Sequence, residues 1–143
     1  MERTDWLLIA LAEAGSRGLT PVQLQKALFL LGRNKTAAVG ADFYHFVPYN
    51  YGPFCTDVYR DAEALADKGL VSIEKSGRRW PEYYATAVSK EYLDQILKKA
   101  DSSVVDYLGR VVRWAQSLSF PELVRAIYEK YPEFKQNSVF ETR

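Results

Sequence analysis

One cysteine, one histidine and one methionine in 143 residues leave little material for several kinds of chemistry. Cys55 alone cannot form an intramolecular disulfide, and with His45 as the single imidazole the usual Cys/His zinc set cannot be assembled. A reducing, cytoplasmic setting is the expectation. Neither sign of charge is in excess: 19 Lys and Arg stand against 18 Asp and Glu, a formal net charge of +1. No global basic field therefore holds the chain on nucleic acid or on an anionic membrane. No apolar run approaches the roughly 20 residues needed to cross a bilayer. The start reads as lacking a secretory signal, so Asn34-Lys35-Thr36 is taken as a chance match to the glycosylation pattern. Dinucleotide fingerprint, phosphate loop, nucleophile elbow and zincin motif are all missing. The expectation is a protein that is not an enzyme and needs no cofactor or metal.

What the chain has in quantity is aromatic side chains, 14% of the total with ten Tyr among them. They concentrate between Phe43 and Val71. Within that stretch an alternating segment, Phe43 to Tyr49, reads as a strand, and Pro48 confines it to an edge. Gly52-Pro53 reads as a helix start, because Pro at the first helical position loses no amide partner. The helix then runs to Lys68, with Phe54, Val58, Ala62, Leu65 and Ala66 on one stripe. Gly69 is its C-terminal stop.

The flanking regions are also patterned. Asp5 to Ala14 is almost wholly apolar, which predicts a helix enclosed by its neighbours and ended by Gly15 and Gly18. Thr20-Pro21-Val22-Gln23 is a capping box opening a second helix that runs to Leu31 and stops at Gly32. Arg33 to Asp42 carries no pattern. Leu70 to Lys75 and Tyr83 to Val88 read as a hairpin, the wing of a winged helix. A helix follows the cap Ser89, with Tyr92, Leu93, Ile96, Leu97 and Ala100 inward. Another follows Ser102 or Ser103, with Val104, Val105, Leu108, Val111, Val112, Ala115 and Leu118 inward. A last one opens with the capping box Ser119-Phe120-Pro121-Glu122 and closes before Pro132.

The expected fold is mainly α with a small β-hairpin, an α+β winged-helix-like helical domain. Residues 1–143 form one domain: a winged-helix-like half over 4–88, C-terminal helices over 89–132 and a partly ordered tail over 133–143.

Candidate chemistry is sparse. His45 has no neighbouring carboxylate or thiol to make it a general base. Cys55, just after Pro53, is read as a small packed residue. Asp57 and Asp61 share a helix face, but no third or fourth ligand is spaced to join them, so they are read as a solvated face. The wing carries Lys75, Arg78 and Arg79 beside Trp80, residues that could contact phosphate. The helix before it holds four carboxylates against Arg60 and Lys68, which opposes such contact. Tyrosines suit a different task, since a ring with a polar end is favoured at protein interfaces. Tyr49, Tyr51, Gly52, Pro53 and Tyr59 are the candidate partner-binding residues.

Three segments together resemble a known group. Leu24-Gln25-Lys26-Ala27-Leu28-Phe29-Leu30-Leu31, Tyr49-Asn50-Tyr51-Gly52-Pro53-Phe54 with Val58-Tyr59, and Lys68-Gly69-Leu70 are similar to the Panacea antitoxin domain of bacteria and phages, and Ile127-Tyr128-Glu129-Lys130-Tyr131-Pro132 fits its closing helix. Phe29-Leu30-Leu31-Gly32 and the Asn50-Tyr51 spelling depart from the commoner form and mark a divergent branch. The resemblance implies a cytoplasmic protein that neutralises a partner toxin by direct contact, with one branch delivering its toxin to an ATP-dependent protease. It implies no catalysis. The alternative is a winged-helix DNA-binding transcriptional regulator.

Overall fold

The computed structural model describes residues 1–75, 77 and 79–140. Helix α1 (Arg3–Ala14) is the axis of the molecule, with Leu7, Leu8, Ile9 and Leu11 essentially without solvent contact. Burying side chains of this size stabilises by about 1.5–3 kcal/mol each. That explains why a helix apolar on every side lies among neighbours and not on the surface. Gly15 ends it, and a short 3-10 turn, Gly15–Arg17, leads to Leu19.

Helix α2 (Pro21–Asn34) begins at the expected capping box, with Thr20 Oγ1 accepting from the Gln23 amide and Gln23 Oε1 accepting from the Thr20 amide. It does not stop at Gly32. The Phe43 ring lies so close that a Cβ on Gly32 would meet it at 2.8 Å, so this glycine admits an aromatic ring to the helix flank. The segment expected to be patternless contains a one-turn helix α3 (Thr36–Val39).

The Gly52-Pro53 helix start is overturned. The expected strand from Phe43 is confined to β1 (Val47–Tyr49), which pairs antiparallel with β2 (Gly52–Phe54), so Pro53 lies in a strand opposite Pro48. Neither proline can donate to a ladder, so both occupy the pair whose backbone groups point outward, where a missing N–H costs no ladder bond. The next helix, α4 (Thr56–Asp67), is capped by Cys55, and its buried stripe is Val58, Ala62 and Leu65.

The wing is present as β3 (Val71–Glu74) paired with β4 (Glu82–Ala85), Val71 opposite Ala85. Leu19 bridges Tyr83 through two backbone bonds of 2.9 and 3.0 Å. The order α1, Leu19 bridge, α2, α4, β3, β4 follows the winged-helix-like expectation, with residues 35–55 lying between α2 and α4. The chain is thus mainly helical with two small antiparallel hairpins.

Three further helices close the domain: α5 (Lys90–Lys99), α6 (Ser102–Ser117) and α7 (Phe120–Lys130). In α5 only Leu93 and Ile96 are buried, while Tyr92 and Leu97, expected inward, are exposed. Tyr92 does not hang free, because its hydroxyl bonds the Asp5 carboxylate at the start of α1. Helix α6 is capped by Asp101 and buries the expected stripe, with Val105 and Leu118 half-buried. Gln116 stitches α6 to the end of α1, donating to the Ala14 and Gly18 carbonyls at 3.0 Å each. Helix α7 has the expected Ser119 and Glu122 capping box. The tail is better packed than expected: Phe134, in a 3-10 turn at Pro132–Lys135, is buried edge-on against Phe29 with ring centroids 4.8 Å apart.

Candidate partner-binding surface

The hairpin β1–β2 is short, and three antiparallel pairs do not hold such an element by themselves. Helix α2 supplies what is missing. Residues 53 and 55 point their backbone groups away from β1, toward α2, where a third strand would lie. Gln25 takes that place: its Nε2 donates to the Cys55 carbonyl at 2.9 Å and its Oε1 accepts from the Cys55 amide at 3.0 Å. Beside it the Lys26 ammonium donates to the Pro53 carbonyl at 3.2 Å. The start of α2 and the hairpin are therefore one bonded unit.

Lys26 is almost fully buried and forms no ion pair with a carboxylate among the described residues. Burial drives its pKa down to about 7, since a cation loses its hydration there without an anion in return. Gly52 lies directly over it. With φ of 101° and a would-be Cβ only 3.3 Å from the Tyr128 ring and 3.6 Å from Lys26, this position takes no other residue without strain.

The far side of the hairpin is held by the tail. Val139 donates its amide to the Asn50 carbonyl at 3.0 Å, and Tyr128 donates its hydroxyl to Ser138 Oγ at 2.6 Å. The Asn50-Tyr51 turn is thus bonded to residues almost ninety positions later.

On this platform the candidate tyrosines divide. Tyr49 is 50% exposed, with one face stacked on Phe54 at 4.8 Å, and Tyr51 is 40% exposed, its edge against Phe120 at 5.0 Å. Val47, Phe120 and Val139 are exposed in the same region, and Phe140 packs against Phe120. Tyr59 lies elsewhere. It is half-buried between Phe54 and Tyr83 in a file of rings running from the hairpin to the wing, and its hydroxyl meets Gln25. Burial pushes the Tyr59 pKa up to about 12. Gly52 and Pro53 are buried and shape the turn.

Helix α4 displays less charge than its sequence suggests. Arg3, from the start of α1, pairs with Asp61 at 3.0 Å and with Asp57 at 3.3 Å, and its guanidinium lies over the Tyr44 ring. The Tyr44 hydroxyl donates to Asp61 at 2.7 Å, and burial together with that bond pushes its pKa well above the usual range. These aspartates anchor α4 to α1, which corrects their reading as a solvated face. On the wing, Lys75, Arg79 and Trp80 are exposed, whereas Arg78 lies outside the described residues.

His45 is exposed, and Cys55 is buried at the cap of α4. Among the described residues no group of three His, Cys, Asp or Glu side chains could hold a metal ion, and no helix is long and apolar enough to cross a membrane.

Sequence reasoning singled out the rings and missed Gln25 and Lys26 as the parts that fix them. A signal was there: from Leu24 to Leu31 they are the only polar residues in a helix otherwise apolar all round, which must bury them and so must bond them. Comparison with known proteins finds no family model, no curated protein and no solved structure that matches the chain.

Proposed function

We propose that this chain is a protein-binding module of the antitoxin type, which holds a partner protein inactive by docking it on the rings around the β1–β2 turn. The observation that carries the reading is the exposure of Tyr49 and Tyr51 on a hairpin fixed from both sides, by Gln25 and Lys26 on one and by the tail on the other. Ordered tyrosines bind at little entropic cost and are frequent binding hot spots. The resemblance to the Panacea domain supports the same reading, and the work is done in the cytoplasm without bond-making. The test is co-expression with each neighbouring open reading frame. One of them is expected to be toxic alone, tolerated with this protein and co-purified with it; failure of every neighbour to do so ends the reading.

The winged-helix order of elements favours one second reading, a DNA-binding regulator. Its contacts would be Lys75, Arg78 and Arg79. With Asp57 and Asp61 engaged by Arg3, α4 presents Arg60 and Lys68 against Glu63 and Asp67, without a positive surplus. Gel shifts across a salt series separate the two readings, since binding through phosphates weakens steeply as salt rises.

A further inference from the structure

A second surface lies at the other end of α7 from Phe120, about 15 Å along the helix axis at 1.5 Å per residue. There α6 and α7 leave an open groove of about 420 Å³ floored by Leu30, Val111 and Ile127. One wall is Trp114, 37% exposed. The end is closed by Tyr107 and Tyr131, whose hydroxyls are both reached by the Asn34 amide, at 2.9 and 3.4 Å.

The rim is cationic. Lys35 lies 5.1 Å from the centre of the Tyr107 ring, Arg110 6.0 Å from the same ring, and Lys130 5.9 Å from the Tyr131 ring. Among the described residues none of the three forms an ion pair. The groove lining itself holds no carboxylate: Glu133 pairs with Arg33, Asp101 caps α6 and faces Lys35, and Asp106 is exposed one turn before Arg110. Two cations in the lining of an exposed apolar groove, with no carboxylate in that lining, fit an occupant that brings both carboxylates and a bulky apolar side chain. The groove is open along its length, which suits a chain segment better than a small molecule needing most of its surface covered.

We infer that the α6–α7 groove docks an acidic amphipathic segment of a partner protein, with an apolar side chain against Trp114 and its carboxylates on Arg110 and Lys130. The inference stands apart from the antitoxin reading, since it uses neither Tyr49 nor Tyr51.

The probe is a short synthetic amphipathic helix with Leu on one face and Glu on the others, added to the full chain carrying Trp80→Phe, so that Trp114 is the exposed indole whose fluorescence is followed. A saturable change below roughly millimolar peptide is expected, weakening as salt rises. The double variant Arg110→Glu, Lys130→Glu should bind about tenfold more weakly, with its circular dichroism unchanged because both side chains are exposed. Tyr51→Ala should bind as tightly as the parent. The inference is overturned by no saturable change, by equal binding of the same peptide with Lys in place of Glu, or by unchanged affinity in the folded double variant. ATP or inorganic phosphate giving the same change at lower concentration would also overturn it, by making the groove a site for small anions.

Discussion

The hairpins at Val47–Phe54 and Val71–Ala85 have ladders of three and four residue pairs, but the first is clamped by side chains and tied at its turn, whereas the second is bonded by backbone and its far end is untied among the described residues. The first has its turn tied to the tail through Asn50 and its outer edge bonded to Gln25 and Lys26. The second is bonded at its base, where Thr86 bonds Leu70 and Gly69, and along β4 by the backbone of Leu19 at Tyr83, while Lys75, Arg79 and Trp80 beyond the ladder stand in solvent. A surface that must hold a partner in one geometry needs its rings preorganised, and only the first hairpin is built that way. The difference teaches that placement of polar side chains, and not ladder length, decides which of two small hairpins can present a fixed face.

The comparison is broken most directly at Gln25. Gln25→Leu leaves the Cys55 amide without a partner and takes from its carbonyl one of two bonds, the other coming from the Val58 amide, so urea unfolding should show a loss of about 3 kcal/mol. A loss below 1 kcal/mol would mean that the hairpin does not depend on the clamp.

Lys26 gives an effect that is pH-dependent. Its folded pKa of about 7 lies below the ordinary value of 10.5, so between those limits the unfolded chain binds more protons than the folded one. Stability therefore rises with pH from about 7 to about 10.5, by at most about 1.4 kcal/mol per pH unit, and is flat with respect to this group below 7. Unfolding of Lys26→Met across the same range should lack that slope; an identical slope in both proteins would place the titration elsewhere.

Gly52→Ala should cost about 2 kcal/mol, since alanine is strained at φ of 101° and its methyl presses on Tyr128. Calorimetry reads this as a lowered Tm. The wing supplies the small end of the scale: Lys75→Ala and Arg79→Ala should each change stability by less than about 0.5 kcal/mol. If either rivals Gly52→Ala, the contrast between the hairpins fails.

Much of the helical frame was legible because its signals are local. The capping boxes at Thr20 and Ser119, the Gly15 stop and the stripe of α6 all act within a turn or two of chain. The misreadings have one physical source, partners distant in sequence. Pro53 resembles a helix start until Lys26 is seen to bond its carbonyl in a strand. Gly32 resembles a helix stop until Phe43 is seen to need its flank. Asp57 and Asp61 look solvated until Arg3 arrives from the start of α1. For the candidate surface, composition pointed to Tyr49 and Tyr51, but no spacing rule could show that Tyr59 is drawn inward by Phe54, Tyr83 and Gln25.

Pro48 and the Gln25 amide, on opposite margins of the first hairpin, also decide how it can be approached. One margin has lost its donor and the other is already occupied, so an incoming chain finds no row of free main-chain groups to zip onto. Edge-to-edge pairing of copies through that ribbon is disfavoured. On the proposed reading, a docked partner would recognise the shape and chemistry of the rings, so discrimination between partners would rest on side chains that a single codon can change.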